Sequence, residues 1–141
     1  FVCHGNICRS PMAEFVFKDL VSKEGLADKF YIASAATSSE EVGNPVHRGT
    51  RMKLSSVGIS TESKYAVQMR PQDYEIYDYL IGMEKRNLTY MQRITAIRKV
   101  RCTGCLIFRK DREILQIRGI RESLTKRMRM CLKDARHCLI T

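Results

Sequence analysis

The chain has 141 residues, which suits a single domain and is long enough to bury a hydrophobic core. Its 44% hydrophobic and 28% charged residues are typical of a soluble globular protein, and no apolar run approaches the roughly 18 residues of a membrane span. Six cysteines without an export signal predict free thiols in a reducing compartment, the cytoplasm. Because the chain begins with Phe1 rather than Met, we expect that its true start and part of its first strand are missing.

The net charge of +10 is distributed unevenly along the chain. Residues 1–96 contain 12 Lys and Arg against 11 Asp and Glu, whereas residues 97–141 contain 13 against 4. Four of the six cysteines also lie after residue 96. We therefore interpret residues 1–96 as the folded domain and treat residues 97–141 as a separate basic tail.

Residues 1–96 alternate between short apolar runs and stretches with helical spacing. Ser10 precedes the first predicted helix and is a candidate for its N-cap. The order of strand, loop and helix predicts an α/β fold, a parallel sheet with helices on both faces. The predicted strands are Phe1-Val2, Tyr31-Ile32-Ala33 and Tyr79-Leu80-Ile81, and the predicted helices run from Pro11 to Gly25, Pro45 to Val57 and Glu84 to Met91.

The first loop, Cys3-His4-Gly5-Asn6-Ile7-Cys8-Arg9-Ser10, connects a strand to a helix N-terminus. Backbone amides and the helix dipole at such a place favour an anion, and the planar guanidinium of Arg9 can bind two phosphate oxygens. The same field favours the thiolate form of Cys3, to which Ser10 could donate a hydrogen bond. The pattern predicts a phosphate monoester site in which Cys3 attacks phosphorus and water hydrolyses the phosphocysteine. A cysteine taken alone is more often a small buried hydrophobe, but the full eight-residue string followed by Pro11 and a helix favours the phosphate site.

The loop and the following Pro11-Met12-Ala13-Glu14 resemble the phosphate-binding segment of the low-molecular-weight protein tyrosine phosphatases, and the resemblance continues to about residue 93. It implies a four-stranded parallel sheet with helices on both faces and no metal or organic cofactor. The substrates it implies are phosphotyrosine proteins or small phosphomonoesters, with no nucleic acid and no membrane as partner. It implies Cys3 as nucleophile, Arg9 as phosphate clamp, His4, Gly5, Asn6, Ile7, Cys8 and Ser10 as the phosphate-binding loop, and Ser34 as its support.

Three loop features need separate comment. His4 occupies a variable position and is expected at the rim of the site. Cys8 could protect Cys3 through a reversible disulfide, which peroxide would form and a thiol would reverse. Many family members carry a histidine near Lys64-Tyr65 that is linked to the loop, and this chain has none there.

The tail lacks the segment in which the family carries its general acid, an aspartate followed by proline, an aromatic residue and tyrosine. Residues 97–141 contain no proline. If the codons from Ile97 onward are read one nucleotide upstream, permitted codons give Asp-Pro-Trp-Tyr in register with Ile117–Ile120. We hypothesise that an insertion or deletion near Thr95-Ala96 shifted the reading frame, so that residues 97–141 are the altered C-terminal third of the same domain.

Other functions remain as alternatives. The tail's basic charge could indicate nucleic-acid binding, but the frame hypothesis makes that charge accidental. The fold could also carry an arsenate reductase, which needs further cysteines such as Cys102 and Cys105, or a protein-arginine phosphatase. Without its general acid the chain could have impaired activity or be a non-catalytic phosphate-binding remnant. The frame hypothesis also makes accidental a set of residues with zinc-like spacing, Cys102, Cys105, Cys131, His137 and Cys138.

Overall fold

The computed structural model describes residues 1–96 and 107–109. Within these residues no helix is long and apolar enough to cross a membrane. Short strands alternate with helices, as the sequence predicts for an α/β fold. In chain order the elements are β1 (Val2–Cys3), α1 (Arg9–Lys23), a 3-10 turn (Ala27–Lys29), β2 (Ala35–Ala36), α2 (Arg48–Ser55), α3 (Asp73–Ile76), β3 (Tyr79–Ile81), α4 (Lys85–Thr95) and β4 (Ile107–Arg109).

Strand β1 lies at the centre of the parallel part of the sheet. It pairs in parallel with β2, with Val2 opposite Ala35 and Cys3 opposite Ala36. On its other side, Val2 forms a parallel bridge with Gly82, directly after β3. This order brings the carboxyl ends of β1 and β3 to the same edge of the sheet.

Helices cover both faces of β1. Successive side chains of a strand point to opposite faces, so Val2 and Cys3 contact different helices. Val2 packs in a buried cluster with Leu88 and Met91 of α4. Cys3 packs on the other face with Ala13 of α1. The α/β architecture with helices on both faces is therefore confirmed.

Several predicted elements need correction. The helix predicted from Pro45 to Val57 spans Arg48–Ser55, and the helix predicted from Glu84 to Met91 spans Lys85–Thr95. The helix after the loop begins at Arg9 rather than Pro11, and Ser10 is not its N-cap: Cys8 holds that position, without a side-chain cap hydrogen bond. The strand predicted at Tyr31-Ile32-Ala33 lies at Ala35–Ala36 instead. The aromatic and β-branched side chains of residues 31–33 favoured a strand there. The residues that pair with β1 are instead the two small alanines, Ala35 and Ala36.

The four-stranded parallel sheet is not confirmed. Strands β3 and β4 pair antiparallel, with Leu80 opposite Phe108. An open strand edge can bind an extended segment in either direction, so apolar strand composition alone does not determine the direction of pairing. Apart from β4, residues 97–141 lie outside the described residues, and with them lie the general-acid region, the basic tail and the candidate zinc ligands.

Candidate active site

Cys3 ends β1 and opens the loop that leads into α1. The cysteine is 3% exposed, and its Sγ has two hydrogen-bond partners inside the loop. The backbone N–H of Asn6 donates to Sγ at 3.3 Å, and Ser10 Oγ lies 3.0 Å from the sulfur. Both contacts are suited to stabilise a thiolate, because hydrogen bonds to a charged group are the stronger kind.

Neighbouring segments fix the backbone of the loop. The amides of Thr37 and Ser38 donate to the carbonyls of Cys3 at 2.8 Å and His4 at 3.0 Å. The amide of His47 donates to the Ile7 carbonyl at 2.8 Å. A Cβ atom at Gly5 would lie 2.9 Å from the Cγ of Glu41, so glycine lets Glu41 pack closely over the loop. The loop is therefore a pre-formed structure and not an open connection.

The helix N-terminus faces the same loop. The first intrahelical hydrogen bond runs from the Met12 amide to the Cys8 carbonyl, so the amides before Met12 have no partner within α1. Arg9, the first residue of α1, forms a 2.8 Å ion pair between its guanidinium Nη1 and Glu84 Oε1. Glu84 is the N-cap of α4 and follows β3, so the adjacent strand ends bring the two residues together. The backbone amides of a helix N-terminus together with a guanidinium form a site suited to an oxyanion.

His4 lies at the rim of the loop, as expected. Its ring Nε2 is 3.1 Å from Glu40 Oε2, and both side chains are well exposed. The hydrogen bond from His4 holds the pKa of Glu40 below its ordinary value. Cys8 is a thiol that is partly buried, and Ile7 is also partly buried.

Asn6 connects the loop to residues behind it. Its φ of 57° places it in the left-handed region, which asparagine adopts more readily than most residues. Its Nδ2 donates to Ser10 Oγ at 2.8 Å and to Ser34 Oγ at 2.7 Å, and its Oδ1 accepts from the Val67 amide at 3.1 Å. Thus all hydrogen-bonding atoms of this side chain are used in holding the loop.

The structure brings the predicted site residues together and adds three that the sequence analysis did not assign to the site. These are Glu84, which pairs with Arg9, and the pair of Glu14 and Lys64, which reaches the loop through Ser34. A signal for Glu84 was present, because it follows the apolar strand of residues 79–81 and side chains after parallel strands gather at one edge. For Lys64 the signal was the family's loop-linked histidine near Lys64-Tyr65, a position at which this chain has no histidine. Among the described residues no group of three His, Cys, Asp or Glu side chains could hold a metal ion.

Glu14 is expected to make the stability of the protein acid-sensitive. Burial raises its pKa, but hydrogen bonds from Lys18 and Ser34 and the charge of Lys64 outweigh burial and hold the pKa below 4.5. A carboxylate whose pKa is lower in the folded than in the unfolded chain stabilises the fold above the unfolded value, and this contribution is lost as the pH falls through the folded value. Urea unfolding at a series of pH values should show a loss of stability below about pH 4.5 that Glu14→Gln flattens. Equal acid sensitivity in both proteins would contradict the assignment.

Most of the amino-acid sequence matches one protein family. Residues 1–118 match the family profile described as low molecular weight phosphotyrosine protein phosphatase. The chain belongs to this family. The family resemblance of the loop is thereby confirmed.

Individual relatives agree with the family assignment. The chain is 47% identical over 88 residues to the low molecular weight protein-tyrosine-phosphatase YfkJ of Bacillus subtilis, covering 62% of this chain and 56% of YfkJ. The crystal structure of YfkJ superposes with a TM-score of 0.70 at 31% identity, over 94% of this chain and 87% of YfkJ. The Drosophila arginine phosphatase superposes with a TM-score of 0.64 at 35% identity, over 68% and 60% of the two chains. Vibrio vulnificus Wzb in complex with benzylphosphonate does so with a TM-score of 0.58 at 27% identity, over 66% and 62%. The chain spans little more than half the length of the curated relatives it matches, 56% to 58%.

Proposed function

We propose that this chain is a protein tyrosine phosphatase that hydrolyses phosphotyrosine through a phosphocysteine on Cys3. The observation that carries the proposal is the placement of the Cys3 sulfur, which receives hydrogen bonds inside a loop closed by the helix N-terminus and Arg9. Family membership supports the same chemistry. The substrate is a phosphotyrosine-containing protein or a small phosphomonoester, and the chemistry requires no metal or organic cofactor.

The reaction proceeds in two displacements at phosphorus. The Cys3 thiolate attacks, a sulfur–phosphorus bond forms, and the bond from phosphorus to the phenolic oxygen breaks, so that the phenolate leaves with the electron pair. Water then attacks the phosphocysteine, which releases phosphate and returns the thiolate. Arg9 and the loop amides bind the phosphoryl oxygens on which negative charge is carried. The hydroxyl of Ser10 stabilises the thiolate both as nucleophile and as leaving group.

A phosphoarginine substrate is the second candidate, because the Drosophila arginine phosphatase is 35% identical and shares the fold. The two substrates differ in the bond that breaks, phosphorus–oxygen or phosphorus–nitrogen, while the loop binds the same phosphoryl group. We favour phosphotyrosine because the curated relatives carry that name. Arsenate reduction would need further cysteines at a suitable distance, and Cys102 and Cys105 lie outside the described residues.

A substrate panel tests the proposal. We expect p-nitrophenyl phosphate, whose leaving group needs no protonation, to be hydrolysed fastest, followed by a phosphotyrosine peptide and then a phosphoarginine peptide. Without a general acid the phosphotyrosine rate should be about 10²–10⁴ lower than with one. Turnover of the phosphoarginine peptide alone, or of arsenate with a thiol reductant, would contradict the proposal.

We further propose that residues 97–141 are the frame-shifted C-terminal third of the phosphatase domain. The break in charge at residue 96 and the missing proline support this, as do curated matches that cover only 62% to 67% of this chain, whereas the family profile match extends to residue 118. Read one nucleotide upstream, the tail would supply the aspartate that protonates the phenolate and the fourth parallel strand of the sheet. The protein acts in the cytoplasm, where its cysteine stays reduced.

A further inference from the structure

Two oppositely charged side chains, Glu14 and Lys64, contact Ser34 behind the loop. The Glu14 side chain is 4% exposed and that of Lys64 is 13% exposed, and Lys64 Nζ lies 3.1 Å from Glu14 Oε2. The same Nζ donates to the backbone carbonyl of Ser34 at 3.0 Å. Charges in such a place are costly unless they are paired and hydrogen-bonded, as these are.

The carboxylate of Glu14 sets the direction of the hydrogen bonds next to it. A carboxylate can only accept, so Ser34 Oγ must donate its proton to Glu14 Oε2, 2.6 Å away. The lone pairs of Ser34 Oγ are then available to accept from Asn6 Nδ2 at 2.7 Å. The Val67 amide, which donates to Asn6 Oδ1, fixes the same orientation of the Asn6 amide.

The same direction continues to the sulfur. The second N–H of Asn6 Nδ2 donates to Ser10 Oγ at 2.8 Å, so the Ser10 hydroxyl accepts there. Its own proton is then directed at Cys3 Sγ, 3.0 Å away. A hydroxyl that donates to sulfur stabilises the thiolate, whereas one that accepts from a thiol does not. The Glu14 carboxylate and the Val67 amide therefore act together, through two serines and one asparagine, on the hydrogen bonding of Cys3.

We propose that Lys64 is a positioning residue that holds the Glu14 carboxylate and Ser34 in place, and so directs the Ser10 hydroxyl towards the Cys3 sulfur. The inference rests on the proposed function of the loop. Lys64 contacts both the carboxylate oxygen that binds Ser34 and the Ser34 backbone itself. Through these contacts the ammonium group of Lys64 acts on Cys3, which lies 61 positions earlier in the chain.

Lys18 provides a matched control because it pairs with the same carboxylate from the other side. Its Nζ lies 2.6 Å from Glu14 Oε1, the oxygen that does not contact Ser34, and its side chain is 45% exposed. The remaining charged group near Glu14 is the amino group of Phe1, whose pKa burial lowers to about 6. Loss of Lys18 removes one charge from Glu14 but leaves every contact with Ser34 intact.

The test follows alkylation of Cys3 by iodoacetamide as a function of pH, with the modified peptide quantified by mass spectrometry. For Lys64→Met we expect the midpoint of the profile to move to higher pH and the rate at pH 7 to fall about tenfold, the effect of losing roughly one hydrogen bond to a charged group. For Lys18→Met we expect a change of less than about twofold, because Lys18 contacts the carboxylate oxygen that does not bind Ser34. Equal profiles for the two variants, or an unchanged profile for Lys64→Met, would overturn the proposal.

A second variant and an independent readout keep the test decisive. Lys64→Gln preserves hydrogen bonding without charge and should give a rate between those of Lys64→Met and the unsubstituted chain; a profile identical to the unsubstituted chain would overturn the proposal. Circular dichroism confirms that each variant is folded. Alkylation needs no turnover, so failure of the proposed function would appear as absent hydrolysis while the alkylation profiles still decide the role of Lys64.

Discussion

Cys3→Ser is expected to abolish hydrolysis of p-nitrophenyl phosphate, with a fall in kcat of at least about 10⁴-fold. A serine hydroxyl is a much weaker nucleophile than a thiolate, and the loop of residues 3–10 has hydrogen-bond donors at the sulfur but no base beside it. The variant should keep its fold, because Cys3 and serine are similar in size. Steady-state kinetics with p-nitrophenyl phosphate, with circular dichroism as a check on folding, measures the effect.

Cys8→Ser is the matched control for this prediction. Cys8 lies in the same loop but is only partly buried, whereas Cys3 is buried and its sulfur accepts a hydrogen bond from the Asn6 amide. We expect Cys8→Ser to retain kcat within a few-fold, and Arg9→Lys to lose more because an ammonium cannot bind two oxygens in the planar way of a guanidinium. Equal losses for Cys3→Ser and Cys8→Ser would show that the loop has lost its structure rather than its nucleophile.

Restoring the other reading frame after Ala96 is expected to raise kcat for phosphotyrosine peptides by about 10²–10⁴. The re-read tail contains an aspartate in an Asp-Pro-Trp-Tyr segment, whereas residues 97–141 as written contain no proline. The gain should be much smaller for p-nitrophenyl phosphate, because p-nitrophenolate leaves without a proton. Parallel kinetics with the two substrates therefore separate a recovered acid from a general improvement in folding.

The matched control is the re-framed chain with its restored aspartate changed to asparagine. This variant should keep the improved fold but return the phosphotyrosine rate towards that of the present chain. If the asparagine variant were as active as the aspartate variant, the proposed role of the tail would be wrong. If the re-framed chain showed no gain at all, the frame hypothesis itself would be contradicted.

The loop could be predicted from the sequence because its contacts are local. Cys3, Asn6 and Ser10 lie within eight consecutive residues, and a strand followed by a helix leaves few ways to arrange them. The same locality explains why the helix α1 and the strand β3 were found. The alternation of strands and helices also predicted the α/β fold, in which helices pack against both faces of β1.

The long-range contacts of the site could not be predicted in the same way. Arg9 and Glu84 are 75 positions apart and meet only because the sheet places β1 and β3 side by side. Lys64 contacts Ser34 across 30 positions from a segment without regular structure. The family's histidine near this position indicated a link to the loop, but a single lysine does not predict which residue it contacts. The role given to Ser10 as a helix cap was wrong because the same hydroxyl is needed at the sulfur of Cys3.

The most direct test of the central claim is mass spectrometry of the protein after rapid acid quench during turnover of p-nitrophenyl phosphate. We expect the peptide containing Cys3 to gain the mass of one phosphoryl group, a gain that is absent in Cys3→Ser and retained in Cys8→Ser. A chain that hydrolyses the substrate without a phosphoryl group on Cys3, or that carries it on another residue, would contradict the proposed mechanism.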